Sequence, residues 1–177
     1  SDPEGLGRLC TAANLKHIFV DLPGKDAPSV VTDNFRGAEQ LTSRIIAGMP
    51  HGRTGAAALP YFIGGTTSDH ATSQRVQAFR QTVANAGLKL ADAQILQCGY
   101  APKNAASAIA SLCKSIGGLP AGLFVNSFTV FEGVMSHFVS LPADEFLGSA
   151  IGCFDYDPFA AFLQFPVYMI RQDSQGL

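Results

Sequence analysis

Apolar positions in this chain come in short blocks separated by helical spacings, and the alternation is regular. Tyr61-Phe62-Ile63 is an apolar run ending in Gly64-Gly65, and 73–86 then reads as a helix. The segment 94–98 is the next strand and 103–116 the next helix; 122–125 is a strand, 129–139 a helix, and 150–153 a strand again. Strands near 62, 95, 123 and 151 thus recur at about the length of one strand–helix unit, roughly 30 residues. That rhythm predicts a parallel sheet with right-handed crossovers and helices on both faces. The strands are apolar throughout rather than alternating, as strands buried on both sides are. Val76, Phe79, Val83 and Ala86 form one helical stripe, Ala105, Ala108, Ile109 and Leu112 another, and Gly87 suits a left-handed helix end.

Upstream, 16–21 (around Ile18-Phe19-Val20) and 29–32 read as strands. Asp33-Asn34 is a candidate cap for a helix over 35–47, and a Gly/Ala-rich connector follows over 48–58. At the other end 167–170 reads as a last strand. The first strand has no strand–helix partner before it and the last leads nowhere, so the pattern looks cut at both ends.

Composition narrows the class. Hydrophobic residues make up 47% of the 177, and charged residues only 15%, against a globular norm of about 25% charged. That excludes general disorder, and a net charge of −2 gives no footprint for a phosphate backbone, so this stretch is not expected to grip nucleic acid itself. No apolar run reaches the ~18 residues needed to cross a bilayer, and Ser1-Asp2-Pro3-Glu4 lacks the basic start and apolar core of a signal peptide. Cys10, Cys98, Cys113 and Cys153 are scattered, which reads as buried reduced thiols of a cytoplasmic protein rather than a disulfide frame or a zinc site.

In an open parallel sheet, ligands bind beyond the carboxyl ends of the strands. Those positions hold Asp21; Gly64 to His70, including Asp69, with Arg75 in the helix that follows; Gly99-Tyr100; Asn126-Ser127-Phe128; and Phe154-Asp155-Tyr156-Asp157. Carboxylates and guanidinium groups bond vicinal hydroxyls, and an aromatic ring covers an apolar C–H face, so this set suits a polyhydroxylated ligand. Each residue also has a plainer role open to it. Tyr100 could pack on the surface, Arg75 could be a solvated or ion-paired helix residue, and Asp69, Asp155, Asn126 and Ser127 could be helix caps. His17, His51, His70 and His137 show no metal-ligand spacing, and loop or surface roles suit them better. There is no phosphate-loop motif, no G-x-G-x-x-G and no G-x-S-x-G; Asp155 with Asp157 is a weak candidate for paired-carboxylate chemistry. No catalytic residue, metal or cofactor is assigned.

These residues also carry a family pattern. Phe19-Val20-Asp21 followed by Val31-Thr32-Asp33-Asn34-Phe35-Arg36-Gly37-Ala38 resembles the “V-x-x-D-N-x-x-G-A” run of LacI/GalR-type transcription regulators. Tyr61 to Gly65 with Arg75-Val76-Gln77-Ala78-Phe79 resembles their “I-x-G … R-x-x-G-F” segment, with Ala78 in place of Gly. Phe154-Asp155-Tyr156, Phe165-Pro166-Val167 and Ile170-Arg171-Gln172 match the closing “G-F-D-D … P-P-L-T-T-V-x-Q” run, with Tyr156 for the second Asp and Phe165 for the first Pro. The stretches Ser127-Phe128, Gly133-Val134-Met135, Phe162-Leu163-Gln164 and Pro166-Val167 are most similar to the fructose repressor (catabolite repressor/activator) group, whose members respond to phosphorylated fructose. Some of them carry Arg after the Asp matching Asp21; here the residue is Leu22, which speaks against a phosphorylated effector.

The resemblance implies an α/β fold, a doubly wound parallel sheet forming a periplasmic-binding-protein-like (type I) lobe truncated at both ends. It implies the end of an N-terminal lobe with the first crossover over 1–59, the C-terminal lobe over 60–155, and a return crossover toward the N-terminal lobe over 156–177. The implied function is a sensor that binds a sugar or sugar phosphate between two lobes and so modulates operator affinity. Operator DNA would be held by a helix-turn-helix absent from this chain, and the intact protein would be a cytoplasmic homodimer with no membrane contact. Arg75, Asp155, Tyr100, Asp69 and Ser127 would then touch the effector, with Asp21 closing from the other lobe, while Ala71 stands where relatives often have a hydroxyl. A periplasmic sugar-binding protein shares the fold; the cysteines and the repressor-type helix opening argue against it. A phosphosugar enzyme is a weaker alternative because a phosphate loop is missing.

Overall fold

The architecture follows from which strands are buried on both faces. In the computed structural model, which describes residues 3–24 and 27–172, the elements run α1 (Pro3–Ala12), β1 (Phe19–Val20), β2 (Ser29–Val30), α2 (Asn34–Gly48), β3 (Pro60–Ile63), α3 (His70–Asn85), β4 (Ile95–Leu96), α4 (Pro102–Ile116), β5 (Gly122–Val125), α5 (Phe128–Phe138), β6 (Ala150–Cys153) and β7 (Val167–Met169), with short 3-10 turns between several of them. The strands β3 to β7 form one parallel sheet in the order β4-β3-β5-β6-β7. The helices lie on both faces, as the alternation predicts.

Side-chain direction alternates along each strand, so each strand serves two cores. Tyr61, Ile63, Leu123, Val125, Ile151 and Cys153 pack with Ile109, Leu112, Phe131, Val134 and Phe138 of α4 and α5. Phe62 and Phe124 point the other way, to Leu41 and Ile45 of α2, to Val76, Phe79 and Val83 of α3, and to Phe154. The ring of Phe62 stacks on Phe124 at 4.8 Å between centroids, and Phe79 meets both edge-on at 5.7 and 5.9 Å. Small residues let helices come close. α2 lies over Gly152, where a Cβ would stand 2.8 Å from Leu41 Cδ1 and Ile45 Cδ1. α5 crosses α4 at Gly133, where a Cβ would run into the Pro102 carbonyl oxygen and sit 2.8 Å from Ala105 Cβ. Because that obstacle is backbone, it cannot swing aside. Gly133→Ala is therefore expected to lower stability by about 1–2 kcal/mol despite the ~1 kcal/mol gain in helix propensity, measured as a shift in the urea midpoint.

The chain divides into two compact units, Asn34–Arg171 and Ser1–Asp33 with Gln172–Leu177. The first is wider than the segment 60–155 read from the sequence, because α2 packs against α3 and β6, and β7 completes the sheet. In the second, β1 and β2 pair in parallel. Asp21 takes a left-handed backbone conformation (φ 59°), and its Oδ1 accepts the Thr32 N–H at 3.2 Å. The Thr32 hydroxyl in turn donates to Gln172 Oε1 at 3.0 Å, joining residues 140 positions apart.

Several boundaries differ from the sequence reading. α1 was not anticipated, so a helix does precede the first strand; its Gly5 and Gly7 are poor helix formers. The strands expected at 16–21 and 94–98 shrink to β1 and β4, and Gln94 closes a 3-10 turn whose side chain bonds the Pro60 carbonyl at 2.8 Å. Ala86 is exposed beyond the end of α3. All four cysteines are free thiols, but only Cys153 is buried; Cys10, Cys98 and Cys113 are half-buried. Burial pushes the Cys153 thiol up to about 12, which keeps it protonated and inert.

Candidate functional site

β3 connects through α3 to β4 on one side of it, and the chain then crosses through α4 to β5 on the other side. The carboxyl ends of β3 and β5 therefore frame the point where the winding reverses, the place such sheets offer a ligand. Gly64 and Gly65 leave β3 with φ of 105° and 65°. A Cβ on Gly65 would overlap Thr72 Oγ1 and lie 2.5 Å from Asn126 Nδ2, so only glycine lets the loop run this close to α3 and β5. Gly65 pairs with Gly99 through Gly65 N–H to Gly99 O at 2.8 Å and the reverse bond at 3.1 Å. That bridge fixes Tyr100 opposite the start of α3.

From there a continuous polar network runs across the strand ends. Asp69 caps α3, its Oδ2 accepting the Thr72 N–H at 2.9 Å. The Tyr100 hydroxyl donates to the same Oδ2 at 2.7 Å and lies 2.8 Å from Thr72 Oγ1, which accepts from Asn126 Nδ2 at 3.1 Å. The other amide atom, Asn126 Oδ1, is buried and has no hydrogen-bond partner. Arg75, 6% exposed, donates from Nε to Asn34 Oδ1 at 2.9 Å and from Nη1 to the Asn126 carbonyl at 2.6 Å. Its guanidinium lies 3.7 Å from the centre of the Phe154 ring, a cation–π contact in a dry setting. Asp155 Oδ2 accepts the Phe128 N–H at 2.9 Å, in the first turn of α5, while Ser127 Oγ caps the same helix through the Val130 N–H at 3.4 Å.

Burial would raise the Asp69 carboxyl, but hydrogen bonds from Tyr100 and Thr72, helped by the Arg75 charge, hold it below the usual carboxylate range. Burial pushes the Tyr100 phenol up, and the Asp69 carboxylate adds to the rise. At neutral pH the pair is therefore an ionised acceptor with a neutral donor.

Five of the six residues singled out from sequence lie in the unit 34–171, and the network ties together Asp69, Tyr100 and, through Asn126, Arg75. Asp155 and Ser127 meet at the start of α5. Asp21 belongs to the other unit, where its carboxylate holds the Thr32 N–H. Asp69 and Ser127 are helix caps, as their plainer readings have it, and Arg75 is buried rather than solvated, with hydrogen bonds to Asn34 and the Asn126 carbonyl. Asn34 accepts from Arg75 rather than acting only as a cap. Thr72 went unnoticed, although Asp69, Thr72 and Arg75 stand three apart on one helix face, a spacing visible in the sequence. The hydroxyl absent at Ala71 is supplied to this network one position later. Among the described residues no group of three or more His, Cys, Asp or Glu could hold a metal ion, and no helix is long and apolar enough to cross a membrane.

Comparison with known proteins gives a consistent result. Residues 9–132 match the family model described as periplasmic binding proteins and sugar binding domain of LacI family. The ribitol operon repressor of Klebsiella aerogenes is 34% identical over 88 residues, 50% of this chain and 32% of the relative. The sucrose operon repressor of Klebsiella pneumoniae is 26% identical over 152 residues, 85% of this chain and 42% of the relative. The Cra transcriptional dual regulator of Pseudomonas putida, solved in complex with fructose 1-phosphate, shares the fold with a TM-score of 0.79 at 18% identity, covering 97% of this chain and 60% of that one. The chain thus spans less than half of either repressor.

Proposed function

This chain belongs to the family of periplasmic binding proteins and LacI-type sugar-binding domains, and from that premise we propose that it is the effector-sensing part of a bacterial DNA-binding transcription regulator. In this reading it senses and does not catalyse. The effector is a sugar or sugar phosphate seated at the strand ends of the unit 34–171. The observation that carries the proposal is the network at the point where the winding reverses, where the Asp69–Tyr100 pair and the buried Arg75 stand together with Asp155. Tyr100, 40% exposed, offers its ring to a sugar's C–H face while its hydroxyl is held by Asp69 and Thr72. Asp21 is assigned to the effector on the family resemblance alone.

An effector that binds one arrangement of the intact protein better than another shifts the population and with it operator affinity. The operator would be gripped by a helix-turn-helix outside this chain, in a cytoplasmic homodimer. Thermal unfolding of the full chain against sugars, sugar alcohols and sugar phosphates tests the proposal. A true effector at 100 times its dissociation constant stabilises by about 2.7 kcal/mol, and Asp155→Ala abolishes the shift. If no compound in the panel stabilises the protein, the assignment fails.

A further inference from the structure

The chain passes between its two compact units twice, at Asp33–Asn34 and at Arg171–Gln172. Within the unit 34–171, both passages are fastened to one short loop, the one that leaves β6. Phe154 opens that loop, completely buried, and its ring carries the Arg75 guanidinium at 3.7 Å. Arg75 Nε donates at 2.9 Å to Oδ1 of Asn34, the first residue after the first passage. The same ring lies against the first turn of α2. A Cβ on Gly37 would stand 2.9 Å from Phe154 Cζ and 3.7 Å from Ile170 Cγ2, so glycine lets the helix start close down on the ring and on the end of β7.

Two residues along the loop, the arrangement is repeated at the second passage. Tyr156, 51% exposed, carries at 5.6 Å the guanidinium of Arg171, the last residue before that passage. Beside it the Ile170 N–H donates to the Cys153 carbonyl at 3.2 Å, extending the β6–β7 pairing almost to the crossing. Between the two rings stands Asp155, whose Oδ2 accepts the Phe128 N–H at the start of α5. A backbone shift at Asp155 therefore moves a ring on each side of it, and each ring bears on a guanidinium at a different passage. The Arg75 contact is dry and strong, whereas the Arg171 contact is exposed and weak. A weak contact is the one that a bound molecule can make or break. Tyr156 also stands where the family run has its second Asp, so that run does not supply this ring.

We propose that Tyr156 and Arg171 are positioning residues of the sensor, a clasp through which occupancy at Asp155 reaches the second passage. The clasp rests on the sensing function above and adds to it a route from the strand ends to the chain crossing. Neither residue has to touch the effector for the route to work.

Amide hydrogen exchange on the full chain, read residue by residue by NMR, tests it. Arg171→Gln and Tyr156→Leu are expected to speed exchange at Ile170 about two- to fivefold, the equivalent of one exposed cation–π contact. Ile151, in mid-sheet, keeps its rate, and Tyr156→Phe, which retains the ring, leaves Ile170 unchanged. Equal acceleration at Ile151, or none at Ile170, overturns the clasp. Coupling to Asp155 is read in a double-mutant cycle on the free chain. Asp155→Ala is expected to speed Ile170 exchange by itself and to add nothing in the Arg171→Gln background; additive effects overturn the coupling. Ribitol, sucrose, fructose and fructose 1-phosphate serve as probes of the bound state. A probe that protects the Phe128 N–H is expected to slow Ile170 as well, and in Arg171→Gln to protect Phe128 alone. Slowing of Ile170 to the same extent in that variant overturns the proposal and leaves the sensing function standing. Failure of every probe to protect Phe128 counts against the sensing function, and the cycle on the free chain still decides the clasp.

Discussion

Truncating Phe124 to alanine is expected to lower the stability of the unit 34–171 by about 3–5 kcal/mol, the range for deleting a buried aromatic ring. Phe124 lies on β5, the middle strand of the sheet, and is completely buried. Its ring stacks on Phe62 and Phe154, at 4.8 and 6.3 Å, and takes the edge of Phe79, so three aromatic contacts go with it. The neighbours come from β3, α3 and the loop after β6, and none can move into the gap without dragging a strand or helix. Urea unfolding followed by far-UV circular dichroism reads the change as a lower midpoint. Phe159→Ala is the matched control: that ring is 54% exposed, and its loss is expected to stay within about 0.5 kcal/mol. A Phe124 variant no less stable than the control would show that the cluster is not the centre of the core.

Arg75→Met comes second in expected size, and it acts on stability and binding together. Methionine keeps the apolar stem but strips Asn34 Oδ1 and the Asn126 carbonyl of their donor, and it removes the charge held over Phe154. Depriving a buried acceptor of its partner costs about 1–3 kcal/mol, so a loss of about 3 kcal/mol is expected. Arg75→Lys should lose nearly as much, since an ammonium cannot bond both acceptors in fork geometry while lying flat on the ring. Effector binding by either variant has to be titrated well below its melting temperature, where the protein is folded. A binding loss with unchanged stability would mean that Arg75 only touches the ligand; a stability loss with intact binding would mean that it only braces the strand ends.

The sheet was legible in the sequence where both faces of a strand are buried. Pro60–Ile63, Gly122–Val125 and Ala150–Cys153 are wholly buried, and continuous apolar runs mark them to within a residue. Strands with one open side carry a weaker signal: among the described residues β4 and β7 are the sheet's edges, and β1 and β2 form a two-stranded sheet of their own. The site was legible as a set of loops because the doubly wound topology fixes where the strands end. Its internal wiring was not. Nothing local announces that Asn34 will meet Arg75, 41 residues on, or that Thr72 will meet Tyr100, 28 residues on. Those meetings are made by the crossovers, and a hydroxyl or amide in a helix gives no sign of its partner.

The bond between Thr32 and Gln172 has a consequence for the order of folding. The unit 34–171 is a continuous stretch of chain, whereas its companion is built from two pieces that meet only after everything between them has been laid down. A flexible loop of that length is entropically expensive to close, and a folded insert shortens it to the distance between its own ends. The continuous unit should therefore form first, as residues leave the ribosome, and the divided one should be completed last. Damage to the Phe124 cluster would then be inherited by the divided unit, while damage around Phe19 would leave the sheet of β3 to β7 folded.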